Sequence, residues 1–594
     1  MEIGNAREPM PSTTGKSLVV VALLAAVALW LHWPSLDAGL AADDFLNRAM
    51  LDGEYPVARM PLDLYSFLRR PGELTPLQDG GIAPWWSHPD LKLSLLRPLS
   101  SALLWLDHRA LALGPRGQHV HSLLWLVGLV FAYFLLARRL LPEGAALIAT
   151  AILAFDSALV APIAWICNRT ALISATFGAL GLWAYLRFRE ERWRPGAPLA
   201  LLGFGLALAG GEYAICALAY VLAFELCSRG EPLRERLRGL SLAAIPAALY
   251  LAVHLALGYG AKGSVVYIGP FDSPGQFLSE VALRVPAMIA TEVLLTPGEQ
   301  FYGKLLSRSP EALGALVPIA LVLALVAGTW RRADAQNRRR LATAGLGMLL
   351  GMLPLVGTIP SVRLLLITSF GGSALLGAAI WDSGLLLLVS AERRAGAWLR
   401  GLATIPVAIV HLGFSARFTH DHAYFWKNIV GTIRAKHLAA EIDDQQVAGQ
   451  ELVLINAAGE IAALIYPPWV RHFHGSPLPK RWRVLGIANS PQRALRVSDD
   501  TLELSVEHGH MFEDPTSQMF RRPTLPFRPG DRATLPGLDV TVLEVEGWAP
   551  KRVRYRFESS LDDPNRVFLL LENGRMRRAF MPEVGGEFVV PPFG

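Results

Sequence analysis

Long apolar stretches recur through the first 418 residues, and they restrict the fold more than any other feature of the sequence. A helix needs about 20 apolar residues to cross the hydrocarbon core of a bilayer, and each crossing must satisfy its own backbone hydrogen bonds there. The pattern predicts about eleven membrane helices, two of them a short pair broken at Gly210 and Gly211. We expect these helices at residues 17–36, 119–141, 144–166, 170–188, 198–210, 212–227, 241–260, 311–330, 341–358, 364–389 and 401–418.

The composition agrees with a membrane protein. Hydrophobic residues make up 52% and charged residues 18% of the 594 positions, and the mean hydropathy of +0.34 is too high for an ordinary soluble globule. The net charge of +6 comes from arginines in short clusters between apolar stretches, which argues against a nucleic-acid-binding domain. The first stretch is longer than the apolar region of a signal peptide, so we expect an uncleaved anchor.

The arginine clusters predict the orientation, because cationic loops stay on the cytoplasmic side of a membrane. All clusters fall on one side if the N-terminus is cytoplasmic and the stretch 279–297 lies flat or re-enters. The sequence therefore predicts a multi-pass protein of the cytoplasmic (inner) membrane, with the loop 37–97 and everything after residue 418 extracytoplasmic. The clusters are Arg138 with Arg139, residues 187–194, 229–238 and 331–340, and Arg393 and Arg394 with Arg400.

The C-terminal part has a different character, since the long apolar stretches end and proline, glycine and charged residues increase from about Thr419. We predict a transmembrane domain over residues 1–418 and an extracytoplasmic soluble domain over residues 419–594. Period-two alternation between turn residues is typical of strands. An α/β part followed by a small β-sandwich-like part at 520–594 is expected, with a helix near 427–445 and strands near 451–456, 501–506, 540–545, 553–558 and 566–571.

Two adjacent carboxylates, Asp43 and Asp44, follow the first predicted membrane helix at the extracytoplasmic surface. A carboxylate there can act as a general base on a sugar hydroxyl. Carboxylate oxygens are also ligands for a divalent cation that holds a phosphate. The alternative from the residues alone is a pair of solvated charges at the end of a helix.

Further motifs follow in order at the predicted extracytoplasmic helix ends: Arg97-Pro98-Leu99, His119, Ala164-Trp165-Ile166 with Arg169, Glu212, and Pro360 before Arg363-Leu364-Leu365. This succession resembles the GT-C superfamily of membrane glycosyltransferases. More narrowly, it is similar to the transmembrane O-mannosyltransferases that carry tetratricopeptide repeats and to their bacterial relatives, over roughly residues 17–390. The resemblance implies an α-helical polytopic fold, a cavity open to the extracytoplasmic side, a polyprenyl-phosphate sugar as donor substrate, and an acidic base in the first loop.

The resemblance also assigns roles to residues of this chain. Asp43 matches the acidic position of the base, and Asp44 matches its partner, which orients the base or binds a metal. A departing lipid phosphate develops negative charge that fixed cations stabilise. Arg97, Arg169 and Arg363 are the candidates, because arginine at extracytoplasmic helix ends runs against the positive-inside tendency. The alternative is that each arginine contacts lipid headgroups or pairs with a nearby acid.

Two more residues belong to the predicted site. His119 matches a family histidine and is a further candidate for donor phosphate, with a helix cap as the alternative. Glu212 lies at the break between two short helices, and an acid at bilayer depth is expected to be functional or ion-paired. The chain departs from the family pattern where Gly211 replaces a lysine, Ala161 a glutamate and Leu126 a histidine.

The leading hypothesis is a glycosyltransferase that moves a sugar from an isoprenoid-phosphate carrier to an extracytoplasmic hydroxyl of a protein, lipid or glycan. No partner beyond membrane lipids, donor and acceptor is indicated, and the oligomeric state is not encoded in any recognisable motif. A transporter or lipid flippase is one alternative, because many spans with buried charges also describe a translocation pathway. A catalytically inactive GT-C-like scaffold is the other. Enzyme chemistry requires Asp43, Arg169, Glu212 and Arg363 to line one cavity.

Overall fold

The computed structural model describes residues 15–228, 230–270, 273–295, 298–389, 395–457, 461–572 and 574–592. The predicted basic positions Arg229, Arg393 and Arg394 lie outside these residues. Two parts make up the fold: a helical part, and a C-terminal part rich in β-structure that begins where the last long helix ends.

All eleven apolar stretches predicted from the sequence fall on helices. Within the described residues, five helices are long and apolar enough to cross a membrane, and six if the bent pair 143–154 and 157–164 counts as one span. The number eleven itself stays a prediction. The helices are α1 Gly15–Leu31, α2 Asp44–Asp52, α3 Leu74–Asp79, α4 Pro98–Trp105, α5 Pro115–Leu140, α6 Glu143–Ala154, α7 Val160–Ala164, α8 Thr170–Glu191, α9 Gly196–Gly210, α10 Ile215–Cys227, α11 Leu233–Ala256, α12 Pro274–Leu294, α13 Gly298–Leu306, α14 Pro310–Gly314, α15 Leu316–Arg332, α16 Ala335–Leu355, α17 Ser369–Val389, α18 Ala395–Ala408 and α19 Ser415–Leu438.

The outer helices present large apolar side chains on their free faces. On α11, Leu249 is 65% exposed and Leu255 is 67% exposed. An apolar surface of this length would aggregate in water, whereas lipid covers it without loss of backbone hydrogen bonds. Trp30 and Trp33 are also exposed at the end of α1, where amphipathic rings are favoured at a membrane–water interface. They place that interface about ten residues before Asp43 in the chain.

The arginine clusters that predict the orientation meet at one end of the helical part. Ion pairs join loops that are far apart in sequence, as when Arg339 meets Glu231 at 3.1 Å and Arg340 meets Glu190 at 3.1 Å. Further pairs connect the same loops. They are Arg139 with Glu191, Arg189 with Glu225 and Glu231, and Arg332 with Asp382.

One continuous helix leads from the helical part into the C-terminal part. It joins α18 and α19 through a π-helical segment, Ile409–Phe414, and runs over 40 residues, Leu399–Leu438. At a rise of 1.5 Å per residue it is about 60 Å long, roughly twice the thickness of a hydrocarbon core. A helix of this length exceeds what a single crossing needs, and its second half leads to the C-terminal part.

Two sheets form the C-terminal part. A six-stranded antiparallel sheet has the order β13-β6-β7-β10-β9-β8, and a four-stranded mixed sheet has the order β12-β11-β4-β5. Both combine strands from before and after residue 520. The elements are β4 Glu451–Asn456, α20 Ile461–Leu464, α21 Pro467–His472, β5 Arg481–Gly486, β6 Gln492–Ser498, β7 Thr501–Val506, α22 Pro515–Gln518, β8 Arg532–Leu535, β9 Leu538–Glu546, β10 Ala549–Phe557, β11 Arg566–Glu572, β12 Arg575–Ala579 and β13 Glu587–Val590.

The first loop packs into the hydrophobic core of the C-terminal part. Trp85 and Trp86 are buried there, and Trp86 stacks on Phe512 with ring centroids 4.5 Å apart. The indole of Trp85 donates a hydrogen bond to the Leu485 carbonyl at 2.8 Å. A short sheet of β1 Ser66–Leu68, β2 Lys92–Ser94 and β3 Gly260–Lys262 ties the loop to the segment after α11. The loop is thus held from both sides and has a fixed shape.

Candidate active site

A strained turn positions the two carboxylates. Ala42 has a φ of +46°, in the left-handed region that costs a non-glycine residue about 1–3 kcal/mol. The turn ends at Asp43, and α2 begins at Asp44, whose amide donates to the Ala41 carbonyl at 3.0 Å. The strain allows adjacent side chains to leave the turn in different directions, so that Asp43 and Asp44 have different partners.

Asp44 accepts hydrogen bonds from backbone amides on both of its oxygens. Its Oδ1 accepts from the Cys167 amide at 2.7 Å, and its Oδ2 accepts from Ala41 at 2.9 Å and from Ile166 at 3.4 Å. Burial raises the pKa of Asp44 to about 7, although the backbone amides act in the opposite direction. This carboxylate connects the first loop to the segment after α7, which is a structural task.

Asp43 uses only one of its two carboxylate oxygens in hydrogen bonds within the described chain. Its Oδ1 accepts a hydrogen bond from the Tyr466 hydroxyl at 2.7 Å, and Oδ2 has no hydrogen bond from the described part of the chain. Burial raises the pKa of Asp43, and the Tyr466 hydroxyl, Arg363 and Arg97 act in the opposite direction. A carboxylate with a raised pKa and one free oxygen is suited to accept a proton.

Arg97, which is buried, forms an ion pair with Glu212, whose side chain is 40% exposed. The Arg97 Nε lies 2.9 Å from a Glu212 oxygen, and its Nη2 contacts the other oxygen. The guanidinium also lies over the rings of Tyr65 and Tyr213, at 5.0 and 5.3 Å from the centroids. The ion-paired alternative for Glu212 therefore agrees with the structure, and Arg97 contributes to the field around Asp43 from within this pair.

Arg363 is the cation near Asp43 that forms no ion pair with a carboxylate in the part of the chain that the structure describes. Its guanidinium lies over the Trp165 ring at 5.1 Å and contacts the Asn168 amide oxygen at a long 3.5 Å. Within the described residues, the buried Nε1 of Trp165 and Nδ2 of Asn168 have no hydrogen-bond partner. The group therefore presents more hydrogen-bond donors than acceptors, together with a positive charge.

Tyr267 lies close to the same charged groups. Burial raises its pKa to about 12, and Arg97, Glu212 and Arg363 each act on its hydroxyl. A bridge to Thr358 holds Tyr267 at the level of the segment before Arg363. Contacts through the segment 165–168 and Tyr65 bring Asp43, Glu212 and Arg363 into one region of the structure, and their lining of one cavity stays a prediction.

Arg169 faces a different set of partners, and all three of its guanidinium nitrogens are bound. Nη1 contacts Asp107 and His121, Nε donates to Ser122 at 2.9 Å, and Nη2 donates to the Gln118 carbonyl at 2.8 Å. The side chains of Arg169 and Asp107 are only 2% and 0% exposed. These contacts favour a structural ion pair, so the predicted phosphate contact of Arg169 would require a rearrangement.

His119 likewise binds backbone. Its two ring nitrogens face the carbonyl oxygens of Gly39 and Ile163, each at 2.9 Å. It thereby connects the loop before Asp43 to α7, as Asp44 does from the other side. Its predicted part in phosphate binding stays a prediction.

The donor atoms around Asp43 do not fit a metal ion held by the protein. Asp44 uses both oxygens for backbone amides, and Asp43 uses one for Tyr466. No group of three or more histidine, cysteine, aspartate or glutamate residues with ligand geometry occurs within the described residues. We therefore derive no chemical step through a metal.

Several site residues could not be found from the sequence. Tyr466 lies 423 positions after Asp43 and belongs to a part of the chain without a site motif. Tyr267 lies between two helices in a loop without any pattern. Trp165 and Asn168 are in a motif with a family resemblance, but only the structure shows that their donor groups lack partners.

The chain matches no protein-family model and no curated protein. It is similar to solved structures at low identity. The oligosaccharyltransferase of Archaeoglobus fulgidus, solved with a tethered acceptor peptide, is 12% identical, with a TM-score of 0.41 over 80% of this chain and 64% of that one. This chain thus spans less than two thirds of that relative.

Two further structures are similar to the same extent. ArnT from Cupriavidus metallidurans, bound to undecaprenyl phosphate, is 13% identical, with a TM-score of 0.43 over 77% of this chain and 85% of that one. AglB from Archaeoglobus fulgidus, in complex with an inhibitory peptide and a dolichol-phosphate, is 14% identical, with a TM-score of 0.43 over 80% and 65%. Because these scores are below 0.5, the geometry of the site itself must carry any argument about function.

Proposed function

We propose that the chain is a membrane glycosyltransferase that moves a sugar from a polyprenyl phosphate to an extracytoplasmic hydroxyl, with Asp43 as the general base and Arg363 as the main contact of the donor phosphate. One observation carries the proposal. Asp43, which has an oxygen without a hydrogen bond from the described chain, and Arg363, which has no carboxylate partner there, are both held at the segment 165–168, Asp43 through its neighbour Asp44. The finer kinship with the O-mannosyltransferases that carry tetratricopeptide repeats stays part of this proposal.

The region around Arg363 is suited to a phosphate because it offers several donors and one weakly used acceptor, the Asn168 amide oxygen. A buried donor without an acceptor loses about 1–3 kcal/mol relative to its hydrated state. The Nε1 of Trp165 and the Nδ2 of Asn168 are two such donors, and both lie beside the Arg363 guanidinium. A phosphate that displaces the Arg363 side chain from the Trp165 ring would supply acceptors to all three groups. Charge-assisted bonds from a guanidinium to a phosphate are among the strongest hydrogen bonds in proteins.

The reaction needs a base on the water side of this phosphate. As the acceptor oxygen bonds to the anomeric carbon, its proton passes to Oδ2 of Asp43. The bond between the anomeric carbon and the phosphate oxygen breaks, and its electron pair leaves with the polyprenyl phosphate. Arg363 stabilises the charge that develops there. Proton and electron pair are accounted for without a cofactor.

The geometry favours this enzyme over the two alternatives. A transport pathway needs polar groups on both sides of a barrier. Asp43, Arg97 and Arg363 instead lie at the same end of the helical part as the C-terminal domain. An inactive scaffold does not require a carboxylate oxygen without a hydrogen bond from the described chain, whereas a general base does. The scaffold nevertheless makes a separate prediction, namely donor binding without turnover.

The test measures binding and turnover separately. Purified protein in nanodiscs is titrated with polyprenyl phosphate, the product common to all such donors, and then with polyprenyl-phosphate mannose, glucose or galactose in the presence of a membrane extract as acceptor source. Arg363→Gln should weaken polyprenyl phosphate binding by about 10-fold or more, because a hydrogen bond to a charged group contributes about 1.5–3 kcal/mol. Arg70→Gln, which removes an exposed arginine of the first loop, is the matched control.

Asp43→Asn should bind polyprenyl phosphate as the wild type does and release none from the sugar donors. Turnover by Asp43→Asn would move the base elsewhere. Equal binding by the Arg363 and Arg70 variants would remove the phosphate site. Binding by the wild type with no turnover on any sugar donor would support the scaffold.

A further inference from the structure

Tyr466 brings the C-terminal domain into contact with the base. Its hydroxyl donates to Oδ1 of Asp43 at 2.7 Å. Tyr466 immediately precedes α21 and is only 3% exposed. A residue of the β-rich domain therefore contacts the candidate site, whose other residues come from the helical part and the first loop.

Packing fixes the position of the Tyr466 ring. It lies against Phe45 of α2, with centroids 6.2 Å apart, and Phe45 in turn stacks on Phe473 at 6.2 Å. The Tyr466 carbonyl accepts from the Val470 amide at 2.8 Å in the first turn of α21. A ring held on its face and at its backbone has few other rotamers, so the hydroxyl is pre-organised toward Asp43.

The hydrogen bond has a chemical consequence for a general base. It occupies one carboxylate oxygen and leaves the other for the acceptor proton, which fixes the direction from which the acceptor approaches. A donor to the ionised form also favours that form. It thereby opposes burial, which otherwise raises the pKa of Asp43.

We propose that Tyr466 is a positioning residue for Asp43, so that the C-terminal domain completes the active site and aims the base at the acceptor. This inference rests on the proposed function. The other titratable and charged groups that act on Asp43 come from the first loop and the helical part and do not depend on the C-terminal domain. They are Tyr55, Arg97, Cys167, Arg363 and the neighbouring Asp44.

The experiment follows the protonation of Asp43 directly by infrared difference spectroscopy of the full chain in nanodiscs across pH. The carboxylic acid band of Asp43 is the band that Asp43→Asn lacks. Tyr466→Phe should raise the midpoint of this band by about one to two pH units, because a hydrogen bond to an ionised group is lost while the ring remains. Tyr555→Phe is the matched control, since Tyr555 is a buried tyrosine of the same domain whose hydroxyl donates to the Leu485 carbonyl at 2.6 Å.

Equal midpoints for the Tyr466 and Tyr555 variants would overturn the inference. If Tyr466→Phe does not fold, 3-fluorotyrosine at position 466 keeps the ring and the hydroxyl but makes a stronger donor. It should lower the midpoint, and an unchanged midpoint would again overturn the inference. The readout needs no sugar donor, so it stands apart from the proposed function, which fails if Asp43→Asn turns the donor over.

Discussion

Arg169 and Arg363 match the same family pattern in the sequence, and their surroundings predict opposite effects of mutation. Arg169 is 2% exposed and binds Asp107, Ser122 and the Gln118 carbonyl. Arg363 is half-buried and forms no ion pair in the described chain. We therefore expect Arg169→Gln to change the stability of the protein and Arg363→Gln to change its affinity for the donor phosphate.

The magnitude follows from the burial of the Arg169 partners. Removing one member of a fully buried ion pair leaves the other charge without compensation and costs about 3–5 kcal/mol. Asp107 keeps His121, whose Nδ1 lies 2.6 Å from its other oxygen, and this contact reduces the loss. We expect a destabilisation of about 3 kcal/mol, a large part of the 5–15 kcal/mol that stabilises an ordinary domain.

The assay is a titration with SDS in mixed micelles, which gives an apparent free energy of unfolding for each variant, followed by polyprenyl phosphate binding to the folded fraction. A double variant, Arg169→Met with Asp107→Leu, removes both charges and should recover much of the lost stability, because apolar replacement of a buried pair is often neutral. If Arg169→Gln remains as stable as the wild type but binds polyprenyl phosphate poorly, Arg169 contacts phosphate as the sequence predicts, and the structural interpretation is wrong.

Three further results are expected. Asp44→Ala should lower the melting temperature in detergent more than Asp43→Ala does, because three backbone amides lose their acceptor at about 1–3 kcal/mol each when they stay dry; equal melting temperatures would contradict this. Sugar transfer should fall as pH decreases through a value above the ordinary aspartate pKa of about 3.9, because burial raises the pKa of Asp43 and only the ionised form accepts a proton, whereas polyprenyl phosphate binding should not follow that limb. Deletion of the chain after Asn428 should yield aggregated protein, because Trp85 and Trp86 lose the core that covers them; a monodisperse truncated protein would show that the first loop folds alone.

The sequence predicts the elements of this fold well where hydrophobic periodicity is strong. Predicted strands at 451–456 and 501–506 have the same bounds as β4 and β7. Apolar residues alternate along β7, whereas β4 is a short apolar run with all six residues buried. The predicted strands 540–545, 553–558 and 566–571 fall on β9, β10 and β11 with small shifts. Such local patterns carry no information about which strands pair.

Long-range pairing is the part that periodicity leaves open. The four-stranded sheet places β11 beside β4, more than a hundred residues earlier in the chain. Likewise, the tryptophans of the first loop look like an interfacial belt in the sequence, whereas Trp86 is fully buried against Phe512 of the C-terminal domain. An aromatic side chain suits a membrane interface and a protein core equally well by composition, so only tertiary contacts distinguish them.

The candidate site shows the same division between residue type and partner. The sequence places Asp43, Glu212 and Arg363 at the extracytoplasmic ends of helices, where a buried ionised group is costly and thus functional or paired. The sequence does not show that Glu212 forms an ion pair with Arg97 or that Arg169 forms one with Asp107. An arginine that is paired with a carboxylate and an arginine that is available to bind phosphate cannot be distinguished from the sequence. The acids that pair with Arg97 and Arg169 are more than sixty positions away.

The location of Asp43 gives the three parts of the chain separate tasks in one reaction. In the proposed function, Arg363, Trp165 and Asn168 of the helical part contact the donor phosphate. Asp43 belongs to the first loop, and its hydroxyl partner Tyr466 belongs to the C-terminal domain, which the sequence predicts to be extracytoplasmic. A donor anchored in lipid and an acceptor in water can meet only at such a boundary. Because Tyr466 occupies Oδ1, the acceptor must reach Oδ2, and the C-terminal domain therefore determines which acceptors present a hydroxyl in line with the donor.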